Sequence, residues 1–221
     1  MEIYELTRPL SVTAAVPDYL ESPTLTPIWR HSIEGISIQR LGVATHHGTH
    51  MDAPLHFLLE GASVDLIPLS RCIGPGIVLD IPCDTPRVIT VDDIEKASQD
   101  AGGIRDGDRI LIRTGWEERY ATPEYTTWPY LDVEAVEWLM DNGISLLGTD
   151  TQGVDQPPQL RAKGVFRFPV HKRLLGAGIP VVEGLANLYQ VAGRRLTVGL
   201  IPLLLVNGDG SPVRAFAWDA E

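Results

Sequence analysis

The segment of residues 46–56 constrains the fold more than any other, because it reads HHGTHMDAPLH and holds four histidines and one aspartate. On a helix His46 and His50 would share one face, but Asp52 would turn away from them, and the proline that follows opposes a helix. A straight strand would separate His46 and His50 by roughly 13 Å, too far for two ligands of one ion. The segment is therefore predicted to bend, and Gly48 is the position where a bend brings the histidines together.

The residue types of this segment indicate a metal site. Imidazole and carboxylate ligands suit Zn²⁺, Mn²⁺ or Fe²⁺, and the lack of a nearby cysteine argues against a closed structural zinc site. The alternative is a histidine-rich surface loop, or core histidines that bond to the backbone. Four histidines with a carboxylate favour the metal, so the segment is interpreted as an irregular, buried crossing of the core.

The same segment carries the pattern H-x-G-T-H-x-D-x-P-x-H, and in this pattern the chain resembles the putative cyclase family, which includes bacterial kynurenine formamidase and isatin hydrolase. Further similar segments extend the resemblance over the whole chain. They are Gly148–Thr151 followed by Asp155, His171 and Glu183 at the family's spacing, and Ser211–Ala215. Gly153 and Gly184 stand where the family often has serine and asparagine.

The resemblance implies a mixed α/β domain with the swivelling β/β/α fold and a set of site residues. The implied metal ligands are His46, His50, Asp52, His171 and Glu183, and the implied catalytic residue is His56. In this scheme Asp52 touches two ions, and His56 carries a proton to the leaving group, as an unperturbed imidazole pKa near 6.5 permits.

The implied activity is metal-dependent hydrolysis of an aryl amide, a cyclic amide or a lactone. Cleavage of N-formylkynurenine to kynurenine and formate is the first candidate, and isatin or lactone hydrolysis is the alternative. The implied cofactor is one or two divalent ions, Zn²⁺ or Mn²⁺, which would lower the pKa of bound water towards about 7 and supply hydroxide. Two other classes stay open: a biosynthetic cyclase or dehydratase that uses the metal as a Lewis acid, and a non-catalytic metal-binding module.

Charge and hydropathy limit the classes of partner that this chain is expected to bind. A net charge of −11 with no basic stripe disfavours nucleic acid. The longest apolar run, around Leu196–Val206, is too short to span a bilayer, and the N-terminus lacks an apolar signal core, which predicts a cytoplasmic protein without membrane contact. No linker or repeat divides residues 1–221, so a single domain is expected. The expected partners are a small-molecule substrate and, from the resemblance, copies of the same chain in a homodimer or homotetramer.

Short β-rich runs alternate with amphipathic segments, which predicts strands and helices in alternation. The predicted strands are Ile36–Val43, Gly76–Ile81, Arg109–Arg113 and Leu196–Val206. The predicted helices begin at Thr90, span Asp132–Asn142 before Gly143, and cover His171–Leu175. Cys72 and Cys83 lack a C-x-x-C spacing and are predicted to be reduced cysteines of the core.

Residues 11–35 contain three prolines and no clear period, so an extended loop is expected there, and this loop is a candidate lid. Tyr19 and Trp29 either contact substrate from this loop or pin it to the core. Trp29 and Phe57 are the candidate substrate-binding residues. Asp150 is expected to cap or form a turn after an apolar run, in preference to a role in catalysis.

Overall fold

The structure, a computed structural model, describes residues 1–12, 20–164 and 167–219. In these residues the strands are β1 (Ile3–Glu5), β2 (Thr24–Trp29), β3 (Ile38–Gly42), β4 (His50–Asp52), β5 (Ile73–Asp80), β6 (Val88–Ile89), β7 (Arg109–Arg113), β8 (Tyr130–Leu131), β9 (Leu146–Thr149), β10 (Val181–Glu183), β11 (Arg195–Pro202) and β12 (Gly210–Trp218). The α-helices are α1 (His31–Glu34), α2 (Leu69–Cys72), α3 (Val91–Asp100), α4 (Val133–Asp141) and α5 (Pro169–Gly176).

An eight-stranded sheet forms the centre of the molecule, in the order β1-β12-β11-β5-β7-β9-β10-β4. Strand β4 also pairs with β12, so the sheet curls back on itself into a barrel-like core. Strands β5, β7, β9 and β10 run parallel to their neighbours in this series, whereas the pairings of β4, β11 and β12 are antiparallel. The prediction of a mixed α/β fold with strands of both directions is confirmed.

Apolar side chains fill both sides of this sheet. Along β5, Ile77 and Leu79 belong to one buried cluster and Val78 to another, because successive strand residues point to opposite faces. The cluster with Ile77 also contains Ile94 of α3 and Leu174 of α5, so the helices cover the outer face. The second cluster lies within the curled sheet.

The helix boundaries follow from their caps. Thr90 and Asp93 form a capping box at the start of α3, as the sequence predicts. Asp132 accepts a hydrogen bond at the start of α4, and Gly143 has a φ of 73° just after that helix ends. The third predicted helix is confirmed as α5, which starts two residues earlier than expected because Pro169 fits the first turn of a helix.

Two expectations differ from the structure. Residues 11–35 are not simply a loop, since they contain β2 and α1, and β2 pairs with β3 in a separate two-stranded sheet. An edge position and a register shift between Pro27 and Trp29 allow a proline in this strand. The strand predicted over 196–206 ends at Pro202, because proline has no backbone N–H to donate to the neighbouring strand. The residues beyond it, Leu203–Val206, are exposed.

Other expectations agree with the structure. Strands β3, β5 and β7 lie where sequence patterns predict them, and Cys72 and Cys83 are buried free thiols. Tyr19 lies outside the described residues. None of the helices in the described part of the chain combines the length and apolar character that a bilayer span requires.

Candidate metal centre

The histidine segment bends at Gly48, as predicted, and then enters the sheet as β4. Gly48 has a φ of 65°, which a residue with a side chain rarely adopts. His50 and Asp52 alternate along β4 and so face the same side. In the antiparallel register with β10, Glu183 is the direct partner of His50. The sheet therefore brings three predicted ligands together.

The fourth predicted ligand of this group comes from α5. His171 Nε2 lies 3.0 Å from Glu183 Oε1 and 3.3 Å from Asp52 Oδ2. Asp155 holds the other side of this imidazole, with its Oδ2 2.6 Å from Nδ1 and 3.0 Å from the backbone N–H of His171. The same carboxylate accepts from the N–H of Val170, so Asp155 fixes both the first turn of α5 and the orientation of the ring.

We call His50, Asp52, His171 and Glu183 the buried cluster. His50 Nε2 lies 3.4 Å from Asp52 Oδ1 and 3.6 Å from Glu183 Oε2, and every member is a buried residue. Burial by itself raises the pKa of Asp52, but its contacts with three imidazoles hold this pKa well below the usual range. Burial lowers the pKa of His171, but Asp155, Asp52 and Glu183 outweigh it and raise the pKa well above normal. Two buried carboxylates thus draw positive charge into one small volume.

We call His46, His56 and Asp209 the rim. His46 Nδ1 lies 2.7 Å from Asp52 Oδ1, and its Nε2 lies 3.0 Å from Asp209 Oδ2. Burial lowers the pKa of His46, but these two carboxylates outweigh it and raise the pKa to about 9. The ring of His56 stacks on that of His46 at 3.8 Å, and burial lowers the pKa of His56. The rim therefore holds one imidazole that favours the charged form and one that favours the neutral form.

Three groups of these side chains could each hold a metal ion, with all ligand atoms of a group within 4.8 Å of one another. The groups are His46 with His50 and Asp52, then Asp52 with His171 and Glu183, and finally His46 with His56 and Asp209. The first two together contain the five ligands that the resemblance implies, and both include Asp52. Imidazole and carboxylate donors without thiolate fit Zn²⁺ or Mn²⁺, and a bound cation would compete with protons for the histidine nitrogens.

A cavity of about 650 Å³ opens over the cluster. Its wall includes Phe57, whose ring lies 4.3 Å from that of His56 and 4.5 Å from that of His171. Phe57 is therefore placed where the sequence predicts a substrate-binding residue. Trp29, the other candidate, lies on β2 with 45% of its surface exposed and does not line this cavity.

Glycine at position 153 makes room for an aromatic wall. A Cβ atom there would lie 2.8 Å from Cζ2 of Trp128, closer than van der Waals contact allows. Trp128 in turn donates its indole N–H to the carbonyl of Asp155. The departure of Gly153 from the family pattern thus coincides with a tryptophan packed into the cavity wall.

Two residues of the site were not predicted as members. Asp155 was noted only within the resemblance, and Asp209 not at all, although it lies two residues before the Ser211–Ala215 signature. Asp150 was expected to cap or form a turn at its own place in the chain, but its side chain supports a distant turn. Its buried carboxylate accepts from the backbone N–H groups of Thr114 and Gly115, and burial raises its pKa.

Comparisons with known proteins agree with this geometry. The family model of the putative cyclases matches residues 4–156. The chain is 36% identical to a kynurenine formamidase of Geobacillus thermodenitrificans (strain NG80-2), over 85% of this chain and 83% of that protein. Isatin hydrolase A from Labrenzia aggregata, bound to benzyl benzoate, superposes with a TM-score of 0.87 at 28% identity, over 100% of this chain and 94% of that one. A structure described as a potential metal-dependent hydrolase with cyclase activity gives a TM-score of 0.80 at 30% identity, over 100% and 98%.

The fold, the donor cluster and these similarities define a metal-dependent hydrolase. The chain belongs to the putative cyclase family.

Proposed function

We propose that this chain hydrolyses an aryl formamide and that N-formylkynurenine is its substrate. The observation that carries the proposal is the buried cluster of two carboxylates and two imidazoles at the base of an aromatic-lined cavity. The similarity to a protein named kynurenine formamidase supports the choice of substrate. The cavity volume of about 650 Å³ falls in the usual range for sites that enclose a small molecule.

The metal would be Zn²⁺ or Mn²⁺, one or two ions per chain. The residues that would hold it are His46, His50, Asp52, His171 and Glu183. When bound, the ion supplies Lewis-acid polarisation of a carbonyl and a lowered pKa for water in the site. Asp155 keeps the Nε2 of His171 directed at the buried carboxylates, because it occupies the Nδ1 side of the ring.

His56 is proposed as the proton carrier. Its side chain is 31% exposed and its pKa is lowered by burial, so at neutral pH it is available to accept a proton and then to pass it to the leaving arylamine. Its Nδ1 lies 3.6 Å from Asp209 Oδ2, longer than a hydrogen bond. The imidazole is therefore held mainly by stacking on His46 and by the edge contact with Phe57.

The aromatic wall supports an aryl substrate. The ring of Phe57 lies 5.1 Å from that of Phe168, and both line the cavity together with Tyr125 and Trp128. Ring contacts of this kind contribute about 0.5–1.5 kcal/mol each beyond the burial of area. They would place the arene of the substrate beside the donor cluster.

The deciding experiment compares chelated, Zn²⁺-loaded and Mn²⁺-loaded protein on N-formylkynurenine. Chelation should abolish formate release, and one of the two metals should restore it, with the stoichiometry read by elemental analysis. Full turnover by demonstrably metal-free protein contradicts the mechanism. Phosphatase activity without amidase activity contradicts the substrate class.

Isatin or lactone hydrolysis is the second candidate, and the superposition with isatin hydrolase A favours it. The same loaded protein should be tested on isatin and on a panel of lactones. Turnover in ¹⁸O-labelled water distinguishes hydrolysis from a cyclase or dehydratase reaction, because only hydrolysis carries ¹⁸O from water into the product.

We also propose that the chain forms a homo-oligomer. The hairpin of β2 and β3 exposes large apolar side chains, among them Leu25, Trp29 and Leu41, each at least 45% exposed. An isolated two-stranded sheet is marginally stable, and exposed apolar patches mark protein interfaces, so a second copy is the proposed cover. Leu25→Glu should dissociate the assembly in sedimentation velocity, and an unchanged sedimentation coefficient contradicts this role.

The cytoplasmic location and the absence of a nucleic-acid partner stay predictions.

A further inference from the structure

Arg8 is a buried cation in the wall of the same cavity. It follows β1, and only 9% of its surface is exposed. Its backbone N–H donates to Thr49 Oγ1 at 2.8 Å, and the Thr49 hydroxyl donates to the carbonyl of Gly184 at 2.7 Å. Because Thr49 precedes His50 and Gly184 follows Glu183, this network ties Arg8 to both strands that carry the metal ligands.

The guanidinium of Arg8 has few protein partners. Across residues 1–12, 20–164 and 167–219 no carboxylate lies within salt-bridge distance of it, and its buried Nε has no hydrogen-bond partner. Its Nη2 donates only a long bond, of 3.4 Å, to the carbonyl of Leu185. The carboxylate of Glu117 accepts from the backbone of Asn187; burial raises the pKa of Glu117, and the charge of Arg8 lowers it without a direct ion pair. A buried charge of this kind is costly unless an anion satisfies it.

Two tyrosines hold the guanidinium in place. Its central carbon lies 4.1 Å from the ring centroid of Tyr120 and 5.4 Å from that of Tyr125, and both rings line the cavity. These contacts orient a planar group without neutralising it, so its remaining N–H donors are left for a ligand. A carboxylate matches the fork of N–H groups that arginine presents.

We propose that Arg8 binds the carboxylate of the substrate, so that the site selects an aryl amide that carries a carboxylate on the same molecule. The inference rests on the proposed function because it concerns a substrate bound in the same cavity. It separates the two candidate substrates, because N-formylkynurenine has an amino-acid carboxylate and isatin has none.

The test uses two ligands that differ only in that group, kynurenine and its decarboxylated counterpart kynuramine. Calorimetric titration of the metal-loaded protein should give a dissociation constant about 10- to 100-fold lower for kynurenine, the usual range for a hydrogen bond to a charged group. Arg8→Met should abolish this preference. Arg8→Lys should keep part of it, because lysine retains the charge but not the fork.

Arg161→Met is the matched control, since Arg161 also lines the cavity but donates its Nε to the carbonyl of Gln156. It should leave the preference for kynurenine unchanged. Equal binding of both ligands to the unmodified protein, a preference that survives Arg8→Met, or a preference lost in Arg161→Met would each overturn the proposal. If Arg8→Met does not fold, an undiminished preference in Arg8→Lys overturns it.

Turnover separates this inference from the proposed function. An Arg8-dependent preference in binding without hydrolysis of N-formylkynurenine would leave the role of Arg8 standing and would contradict the proposed activity. Equal kcat/KM for N-formylkynurenine and N-formylkynuramine would support the activity and overturn the role of Arg8.

Discussion

The buried cluster and the rim are built from the same two kinds of side chain, yet they differ in access to water. The side chains of Asp52, His171 and Glu183 are at most 7% exposed, whereas those of His56 and Asp209 are 31% and 42% exposed. Carboxylates that are removed from water need a cation close by, while those at the rim are solvated. Burial therefore separates the four proposed ligands of the buried cluster from the more accessible rim, where the proposed proton carrier His56 lies beside His46, the fifth proposed ligand.

The two regions also differ in backbone. His50, Asp52 and Glu183 lie on paired strands, and His171 lies in the first turn of α5. The rim residues lie outside the strands, with His56 at the end of a short 3₁₀ helix and Asp209 just before β12. Ligands on regular elements are positioned more firmly than residues on loops, as a metal site requires.

The largest effect is expected from Asp52→Ala. It removes the carboxylate that contacts three imidazoles, and metal and activity should be lost together. Elemental analysis and formate release measure the two losses, and added metal should rescue neither fully. Asp108→Ala is the matched control, because Asp108 is equally buried but pairs with Arg195 away from the cavity. If folded Asp52→Ala protein retained its metal, the buried cluster would not be the metal site.

His56→Ala should show the opposite pattern. The metal content should stay close to that of the unmodified protein, while kcat falls roughly 10²- to 10⁴-fold, the usual contribution of a general acid–base group. His31→Ala, on the exposed α1, serves as control. Because His56 also forms a candidate donor group with His46 and Asp209, a metal-free His56→Ala protein would make His56 a ligand and refute its assignment as proton carrier.

The stability of the chelated protein should fall at alkaline pH. The pKa of His46 is raised from 6.5 to about 9 in the folded state, so its contribution is complete below pH 6.5 and is lost as the pH rises through about 9. The loss is of the order of 3 kcal/mol in the free energy of unfolding, measured by urea denaturation. His46→Gln should flatten this dependence. Stability of the chelated protein that rises over the same interval would show that His46 is not paired with the carboxylates.

The smallest effect is expected from Asp155→Asn. The amide still supports the first turn of α5 but holds His171 less firmly, so the metal dissociation constant should rise about 10- to 100-fold in a competition titration. Asp209→Asn, the counterpart at the rim, should raise this constant less, because the Asp209 carboxylate that contacts His46 is 42% exposed and solvated. Equal weakening by both substitutions would remove the distinction between the buried cluster and the rim.

Local sequence signals predicted the parts of the site that lie close together in the chain. The bend at Gly48 followed from the spacing of His46 and His50, and the helix starts at Thr90 and Asp132 followed from their caps. The pairing of His171 and Glu183 with Asp52 came from the family resemblance, because no local period relates residues so far apart. Trp29 does not line the cavity, and its aromatic character does not indicate which surface β2 presents.

The sequence alone determined a mixed α/β chain with a bent, histidine-rich metal segment, because turn residues, caps and ligand chemistry act over a few neighbouring positions. The tertiary structure decided the rest. The β4–β10 register placed Glu183 opposite His50, the packing of α5 brought Asp155 onto His171, and the turn before β12 brought Asp209 to His46. These contacts join residues far apart in the chain, and they form only when burial of the apolar sheet faces stabilises the fold that aligns them.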